Sequence, residues 1–311
     1  MSDRLPPLTA LRAFEAAARH LSFAQAASEL NVTPAALSFQ IKSLEQHLGQ
    51  PVFRRLNRAV ELTEAGRVLA PGVTDGFSAL SAAWRNTKRL SDNKTLTVTA
   101  GPAFTSKWLA PRLYEFAQAH PEIELRFSAS LRLIDFDRDA VDVAIRFGLG
   151  HDKDVYSEPL IREWMTPMMT PDLAERFGTL EKLSQAPLIH DESIAFFKQP
   201  TDWPAWCRAA NVAFDTSSGL RFSQADHALD AATTGAGVVL GRVSLATRAL
   251  EQGHLVAPFD TGLLTEAQFR FICPNGTQDR PHVAAFRAWV FKEIQASKKF
   301  EAGRTLIPPV A

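Results

Sequence analysis

The apolar positions of the first fifty residues recur at helical steps. Leu8, Leu11, Phe14, Ala17, Ala18 and Leu21 follow Pro7 at three- and four-residue intervals, which predicts a first helix with one buried stripe. Ser22 stands three residues before Gln25 in a capping-box arrangement, so a second helix is expected with Phe23, Ala26, Ala27 and Leu30 inward. After a short Asn31-Val32 turn, Thr33 and Pro34 supply an N-cap and a first-turn residue for a third helix, which runs to Leu48 and stops at Gly49. At about 100° per residue, Leu37, Ile41, Leu44 and Leu48 share one side of it, whereas Ala35, Ser38, Phe39 and Lys42 gather nearly opposite.

From Val52 to Thr63 the pattern shortens to two β-prone runs about an Asn57-Arg58 turn, a hairpin that carries Arg54, Arg55 and Arg58. Thr63 then caps a segment from Glu64 to about Leu90. In it Leu69, Val73, Gly76, Leu80, Ala83, Thr87 and Leu90 keep the alternating three–four spacing of a coiled-coil-like seam, which an ordinary packing helix could also show. Pro71 should kink or locally break that helix. Beyond Thr95 the period changes. A strand at Leu96–Ala100, a helix from about Phe104 to His120 and a strand at Ile123–Phe127 predict a βαβ unit. Further strands are expected at 141–146, 187–190, 220–222, 238–240 and 268–272, so the architecture is α/β overall.

Two helices joined by a short turn, the second presenting small and polar groups from its first half, fit a DNA major groove. Ser38 can reach a base edge or a phosphate, Ala35 a thymine methyl, and Lys42 a phosphate. Amides at the helix start near Thr33 can also receive phosphate. Phe39 stands among them as either a base-methyl contact or part of a protein interface. The wing arginines can reach phosphates or a narrow minor groove. Candidate DNA contacts are therefore Gln25, Thr33, Pro34, Ala35, Ser38, Phe39, Lys42, Arg54, Arg55 and Arg58.

Charge sharpens this picture. The 311 residues carry no net charge, yet residues 1–90 hold 11 basic against 7 acidic side chains and the remainder 23 against 27. A basic head on an acidic body suits a chain in which one part meets phosphate. Hydrophobic residues make up 46% and charged residues 22%, and no apolar run approaches the ~20 residues of a membrane span. The N-terminus shows no basic stretch leading into an apolar one, and a cytoplasmic protein is expected. Cys207 and Cys273 stand apart and are expected as buried free thiols.

Catalytic chemistry finds little to work with. The eight histidines form no zinc-ligand pair, and there is no Gly-x-Ser-x-Gly elbow, phosphate loop or dinucleotide fingerprint. Asp135, Asp137 and Asp139 alternate without a calcium-loop spacing and are expected as a solvated turn. A solute receptor or an α/β enzyme is the rival reading, opposed by the basic head and by the lack of a nucleophile–base set. Neither cofactor nor metal is expected.

The stretches Leu11–Ala16, Ser22–Ala27 and Val32–Lys42, continued by Leu44-Glu45, Leu48-Gly49, Phe53–Arg55 and Leu62–Gly66, resemble the LysR-type family of transcriptional regulators. Downstream, Trp108–Leu113, His120-Pro121 and Ser130–Phe136 are similar to the subgroup that contains the glycine-cleavage activator and the β-lactamase regulator. The resemblance covers nearly the whole chain. It implies a winged helix-turn-helix domain (1–63), a linker and dimerisation helix (64–91) and a two-lobed, periplasmic-binding-protein-like effector domain (92–300). Lobe one takes 92–164 plus 268–300, lobe two 165–267, and 301–311 form a tail. Position for position, Pro34, Ala35, Ser38 and Phe39 correspond to the groove-facing part of the recognition helix, and Arg55 and Arg58 to the wing. Phe39 departs from the pattern, since the family commonly has Arg or His there. Pro71 is in keeping with the subgroup.

In open α/β sheets ligands bind beyond the carboxyl ends of the strands. This places the candidate effector contacts at Gly101, Pro102, Phe104, Thr105, Ser130, Leu131, Arg146, Ser223 and Asp226. Helix starts and hydroxyls there favour an anionic or zwitterionic group. As plain alternatives, Thr105 and Ser223 would be caps and Arg146 a structural ion pair. Expected partners are promoter or operator double-stranded DNA, a small-molecule effector and further copies of the chain as dimers and tetramers, with RNA polymerase as a further contact and no membrane.

Overall fold

The structure, a computed structural model, describes residues 5–55, 60–89, 94–136, 139–150, 154–195 and 197–308. The chain separates into a smaller unit that ends at Arg89 and a larger one that follows.

In the smaller unit α1 (Leu8–His20), α2 (Phe23–Glu29) and α3 (Pro34–Leu48) precede a hairpin of β1 (Phe53–Arg55) and β2 (Val60–Leu62), and α4 (Glu64–Arg89) closes the order. The expected caps are in place. Ser22 Oγ accepts from Gln25 N at 3.3 Å, Thr33 Oγ1 from Ala36 N at 3.2 Å, and Gly49 ends α3 at φ +79°. Ala10, Ala13, Ala17, Ala26 and Ala27 are buried, so the helices cross closely around Phe14 and Leu37, and Phe53 meets Phe14 and Phe23 with ring centroids 5.4 and 5.3 Å away. Leu48, expected inward, is 42% exposed because it ends the helix beyond the reach of this core. The tip of the hairpin, Leu56–Ala59, with the Asn57-Arg58 turn, lies outside the described residues.

Two polar anchors tie the hairpin to its neighbours. Glu45 on α3 accepts from Val52 N and Phe53 N at 3.0 and 3.4 Å. Thr63 donates to Pro51 O at 2.8 Å and accepts from Gly66 N, capping α4 while holding the start of β1. The break that Pro71 could have forced does not occur: α4 runs through Pro71 as one helix. Pro71 and Arg67 are both exposed, so water can satisfy the Arg67 carbonyl that loses its amide partner. Its apolar stripe divides. Leu69, Val73 and Phe77 pack on the domain core, whereas Leu80 and Trp84 remain 57% and 64% exposed.

The larger unit is one nine-stranded sheet. Its strands are β3 (Thr95–Ala100), β4 (Glu124–Ala129), β5 (Val143–Gly148), β6 (Val155–Met168), β7 (Leu188–Asp191), β8 (Leu220–Phe222), β9 (Val238–Arg242), β10 (Thr261–Pro274) and β11 (Thr305–Ile307). The order is β4-β3-β5-β10-β6-β9-β7-β8, with β11 added parallel to β10. Parallel β4-β3-β5 and parallel β8-β7-β9 are thus joined through the antiparallel pair β6 and β10, each 14 residues long. Register shifts in that pair fall between Leu264 and Gln268 and between Phe269 and Arg270.

The expected helix at 104–120 is an irregular sequence instead. A turn of α-helix, α5 (Pro102–Phe104), passes into a π turn (Thr105–Leu109), a 3-10 turn at Pro111 and α6 (Leu113–Ala119). It packs with α12 (Pro281–Ser297) through Trp108, Phe116, Phe286 and Trp289. On the other side of the sheet's midline, α7 (Pro171–Phe177), α8 (Leu180–Leu183) and α9 (Trp203–Ala209) enclose Trp203 and Trp206, and α10 (Ala225–Thr233) and α11 (Val243–Glu251) follow β8 and β9. The segment expected as a C-terminal tail adds β11, anchored by Arg304, which donates to the carbonyls of Phe259, Ala257 and Phe300 and lies over Trp164. Cys207 and Cys273 are free and buried, and burial pushes the Cys207 thiol up to about 11.

At Gly66 an added Cβ would lie 2.2 Å from Val52 O. Gly66→Ala must therefore push α4 off the hairpin, at a cost of roughly 1–3 kcal/mol for the overpacking. Urea unfolding followed through the smaller unit checks this, with an earlier transition expected for the variant.

Candidate functional site

Two surfaces collect the residues singled out above. On the smaller unit, Thr33, Pro34, Ala35, Phe39 and Lys42 are exposed on one side of α3 and Ser38 is half-buried among them, while Leu37, Ile41 and Leu44 face the core. Ala35, Ser38, Phe39 and Lys42 border a depression of about 540 Å³ whose far side is Phe23, Pro51 and Phe53. Gln25 is exposed at the start of α2. The helix start offers fewer amides than expected. Pro34 has none, Ala36 N donates to Thr33 Oγ1 and Leu37 N to Thr33 O, which leaves the Ala35 amide.

Arg54 pairs across the hairpin with Glu61 at 2.9 Å, both ends solvent-exposed. Such a pair is worth at most about 1 kcal/mol and yields readily to a phosphate. Arg55 lies on β1 with its side chain outside the described atoms, and Arg58 falls outside the described residues.

On the larger unit the carboxyl ends of β3, β4 and β5 carry Gly101, Ser130 and Arg146, and those of β8 and β9 carry Ser223 and Arg242. Arg146 is half-buried. It donates to Thr99 Oγ1 at 3.1 Å and to the carbonyls of Ile145 and Arg132, and no carboxylate among the described residues pairs with it. The alternative of a structural ion pair is therefore not what the structure shows. Burial, and after it the neighbouring Arg132, hold the guanidinium below its ordinary value.

Arg242 was not picked out from the sequence. It is 6% exposed, lies 5.1 Å over the Phe147 ring, and reaches Ser193 Oγ at 3.0 Å and Asp191 at 3.5 Å, while its Nε has no partner among the described residues. The rule that located Arg146 would have found it, since Arg242 ends strand β9.

Contacts between the two halves of the sheet frame this region. Ser106 donates to Asp226 at 3.2 Å, Lys107 pairs with Asp230, and Phe147 meets Phe197 edge-on at 5.8 Å. Thr105 Oγ1 and Asp226 Oδ1 are buried there without a partner among the described residues. Gly101 and Pro102 are half-buried at the head of α5, Ser130 accepts from Arg132 N at 3.1 Å, and Ser223 and Leu131 are exposed. Phe104, expected as an effector contact, does not reach the site. Its ring is 1% exposed, stacked on Trp108 at 5.0 Å and against Phe269, so it belongs to the core and offers no ligand surface.

Beneath the region, on β6, Glu163 is fully buried. Its Oε1 accepts from Ser244 N at 3.2 Å and Trp164 N at 3.1 Å, and Ser244 Oγ bonds Oε2, so the carboxyl caps α11. Burial pushes this carboxyl above its ordinary range, against those bonds and the charge of Arg242. Among the described residues no group of His, Cys, Asp or Glu could hold a metal ion, and no helix is long and apolar enough to cross a membrane.

A winged helix-turn-helix followed by two lobes whose strand ends surround polar groups defines a ligand-responsive DNA-binding regulator. Residues 8–67 match the bacterial regulatory helix-turn-helix proteins of the lysR family, and residues 90–295 match the LysR substrate binding domain. The chain belongs to the LysR family of transcriptional regulators. The glycine cleavage system transcriptional activator of Escherichia coli K12 is 39% identical over 303 residues, 96% of this chain and 97% of the relative. The transcriptional activator AmpR of Rhodobacter capsulatus is 36% identical, with 91% and 96% covered. The solved effector domain of AmpR from Pseudomonas aeruginosa is 27% identical with a TM-score of 0.53, over 67% of this chain and 98% of that one. The chain is thus a DNA-binding regulator with an effector-binding domain, and its family relatives are regulators rather than enzymes.

Because the folded state holds the Glu163 proton more tightly than the unfolded chain, this group's contribution to stability is present at low pH. It is lost as pH rises from 4.5 towards the raised folded value. Glu163→Gln keeps a carbonyl for the two amides and an N–H for Ser244. Its melting temperature is expected to gain on the wild type as pH goes from 5 to 8; scanning calorimetry at both values checks this.

Proposed function

We propose that this regulator responds to a small anionic or zwitterionic effector held between the strand ends of the two lobes. The observation that carries this is Arg146, a half-buried guanidinium facing hydroxyl and carbonyl oxygens with no carboxylate partner among the described residues. A buried cation without its counter-charge is costly, and an entering carboxylate or phosphate supplies it. Thr105 Oγ1 and Asp226 Oδ1, which follow β3 and β8, and Arg242 Nε at the end of β9 are unpartnered among the described residues and add one hydroxyl, one acceptor and one donor, which suits a ligand that carries an ammonium as well. Gly101, Pro102, Ser130, Leu131 and Ser223 complete the proposed contact set. The lobes close by bending where β6 and β10 lose register, and a ligand shifts that equilibrium by its differential affinity for the two states.

On the DNA side, Gln25, Thr33, Pro34, Ala35, Ser38, Phe39 and Lys42 enter or flank the major groove, and Arg54, Arg55 and Arg58 meet the backbone from the wing. The chain acts as a dimer joined along α4, where Leu80 and Trp84 are exposed at the spacing of a seam, and dimers pair into tetramers through the effector domains. Contact with RNA polymerase belongs to the same proposal.

Thermal unfolding of the full chain against a panel of amino acids and small carboxylic acids tests the effector reading. A true ligand at a hundredfold over its Kd adds about 2.7 kcal/mol, which raises the Tm by about 5–10 °C. Arg146→Gln is expected to abolish that shift; a ligand whose shift survives both Arg146→Gln and Thr105→Val binds elsewhere. For the DNA side, Lys42→Ala is expected to weaken binding to all sequences and to lower the slope of log K against log salt by about one. An unchanged slope takes Lys42 off the phosphates.

A further inference from the structure

Phe39 is the most exposed large apolar side chain on α3, at 69%, and its ring meets no other aromatic ring among the described residues. Ala35, one turn earlier, is exposed beside it, and Lys42 is exposed in the next turn. Phe39 and Ala35 make an apolar step on the helix face that otherwise carries Ser38 and Lys42, at the edge of the depression closed by Phe23 and Phe53.

A phenyl ring has no donor or acceptor to offer, so it cannot pair with the polar edges of guanine, adenine or cytosine. The one apolar group on the floor of the major groove is the thymine C5-methyl. Burying an exposed ring against it is favourable on association, and the flanking Lys42 holds the neighbouring phosphate. We infer that Phe39, backed by Ala35, reads a thymine methyl in each half-site and so sets the operator preference of this chain. The inference rests on α3 being the helix that enters the groove. A docking surface for another protein chain would use the same ring, but Lys42, the exposed cation in the next turn of α3 and on the same depression, matches a polyanion.

The test uses the full chain and a duplex enriched by it from a random-sequence library. Each thymine of that duplex is replaced in turn by deoxyuridine, which removes the methyl alone, and Kd is measured by fluorescence anisotropy for the wild type, Phe39→Ala and Lys42→Ala. One thymine per half-site is expected to cost the wild type about fourfold on replacement, the worth of one buried methyl. Phe39→Ala should bind the thymine duplex more weakly and ignore the replacement, while Lys42→Ala should keep the fourfold penalty. The proposal fails if the wild type tolerates every replacement, or if the penalty persists in Phe39→Ala. It also fails if Phe39→Ala changes the sedimenting mass with the deoxyuridine pattern intact, which would make the ring a protein contact. A library that yields no enriched duplex contradicts the placement of α3 in the groove, whereas an enriched duplex indifferent to deoxyuridine contradicts the thymine contact alone. Phe39 is exposed, so unchanged far-UV circular dichroism and melting are expected for Phe39→Ala.

Discussion

Two antiparallel strands of 14 residues, β6 and β10, carry the sheet from one lobe of the effector domain to the other, and the geometry of the candidate pocket follows from that pairing. Because they run antiparallel while their neighbours on either side are parallel, the carboxyl ends of β3, β4 and β5 and those of β7, β8 and β9 form two separate rims. Arg146 stands on one rim and Arg242 on the other, its guanidinium over the ring of Phe147, the residue that follows Arg146. The same pairing explains why a bend is available there. A strand pair that slips register between Leu264 and Gln268 has lost ladder hydrogen bonds at that point and resists bending least.

Next to this bend the protein keeps a buried carboxyl. Glu163 has no bonded cation among the described residues, yet it caps α11, the helix that directly follows Arg242. A buried polar group with every oxygen engaged fixes the elements that engage it. Here it fixes the start of α11 against β6, and therefore the strand end on which Arg242 sits.

Much of the smaller unit was legible in the sequence because its signals are local. Ser22, Thr33-Pro34 and Gly49 mark the helix ends through their own hydrogen bonds and φ, and the alanines of α1 and α2 announce close crossing. Solvent decided one point there: Pro71 was expected to kink or locally break α4, and the helix continues through it where both Pro71 and Arg67 are exposed. In the larger unit β6 was missed because Pro159 and Pro167 interrupt a strand pattern, and the structure accommodates Pro159 beside a register irregularity opposite Arg270. The last strand, β11, was missed because only its pairing with residues forty-four positions earlier makes it a strand. Among site residues, the strand-end rule located Arg146 and, applied to β9, would have located Arg242. That Phe104 turns into the core could not be read without knowing the π turn that follows it.

The measurement that bears most directly on the whole account is amide hydrogen exchange of the full chain with and without an enriched DNA duplex. Protection is expected over residues 33–42 and the hairpin 53–62, with α5, β5 and β9 little changed by DNA alone. Protection confined to the effector domain, with α3 exchanging as in the free protein, would contradict the assignment of the two units to DNA and to ligand.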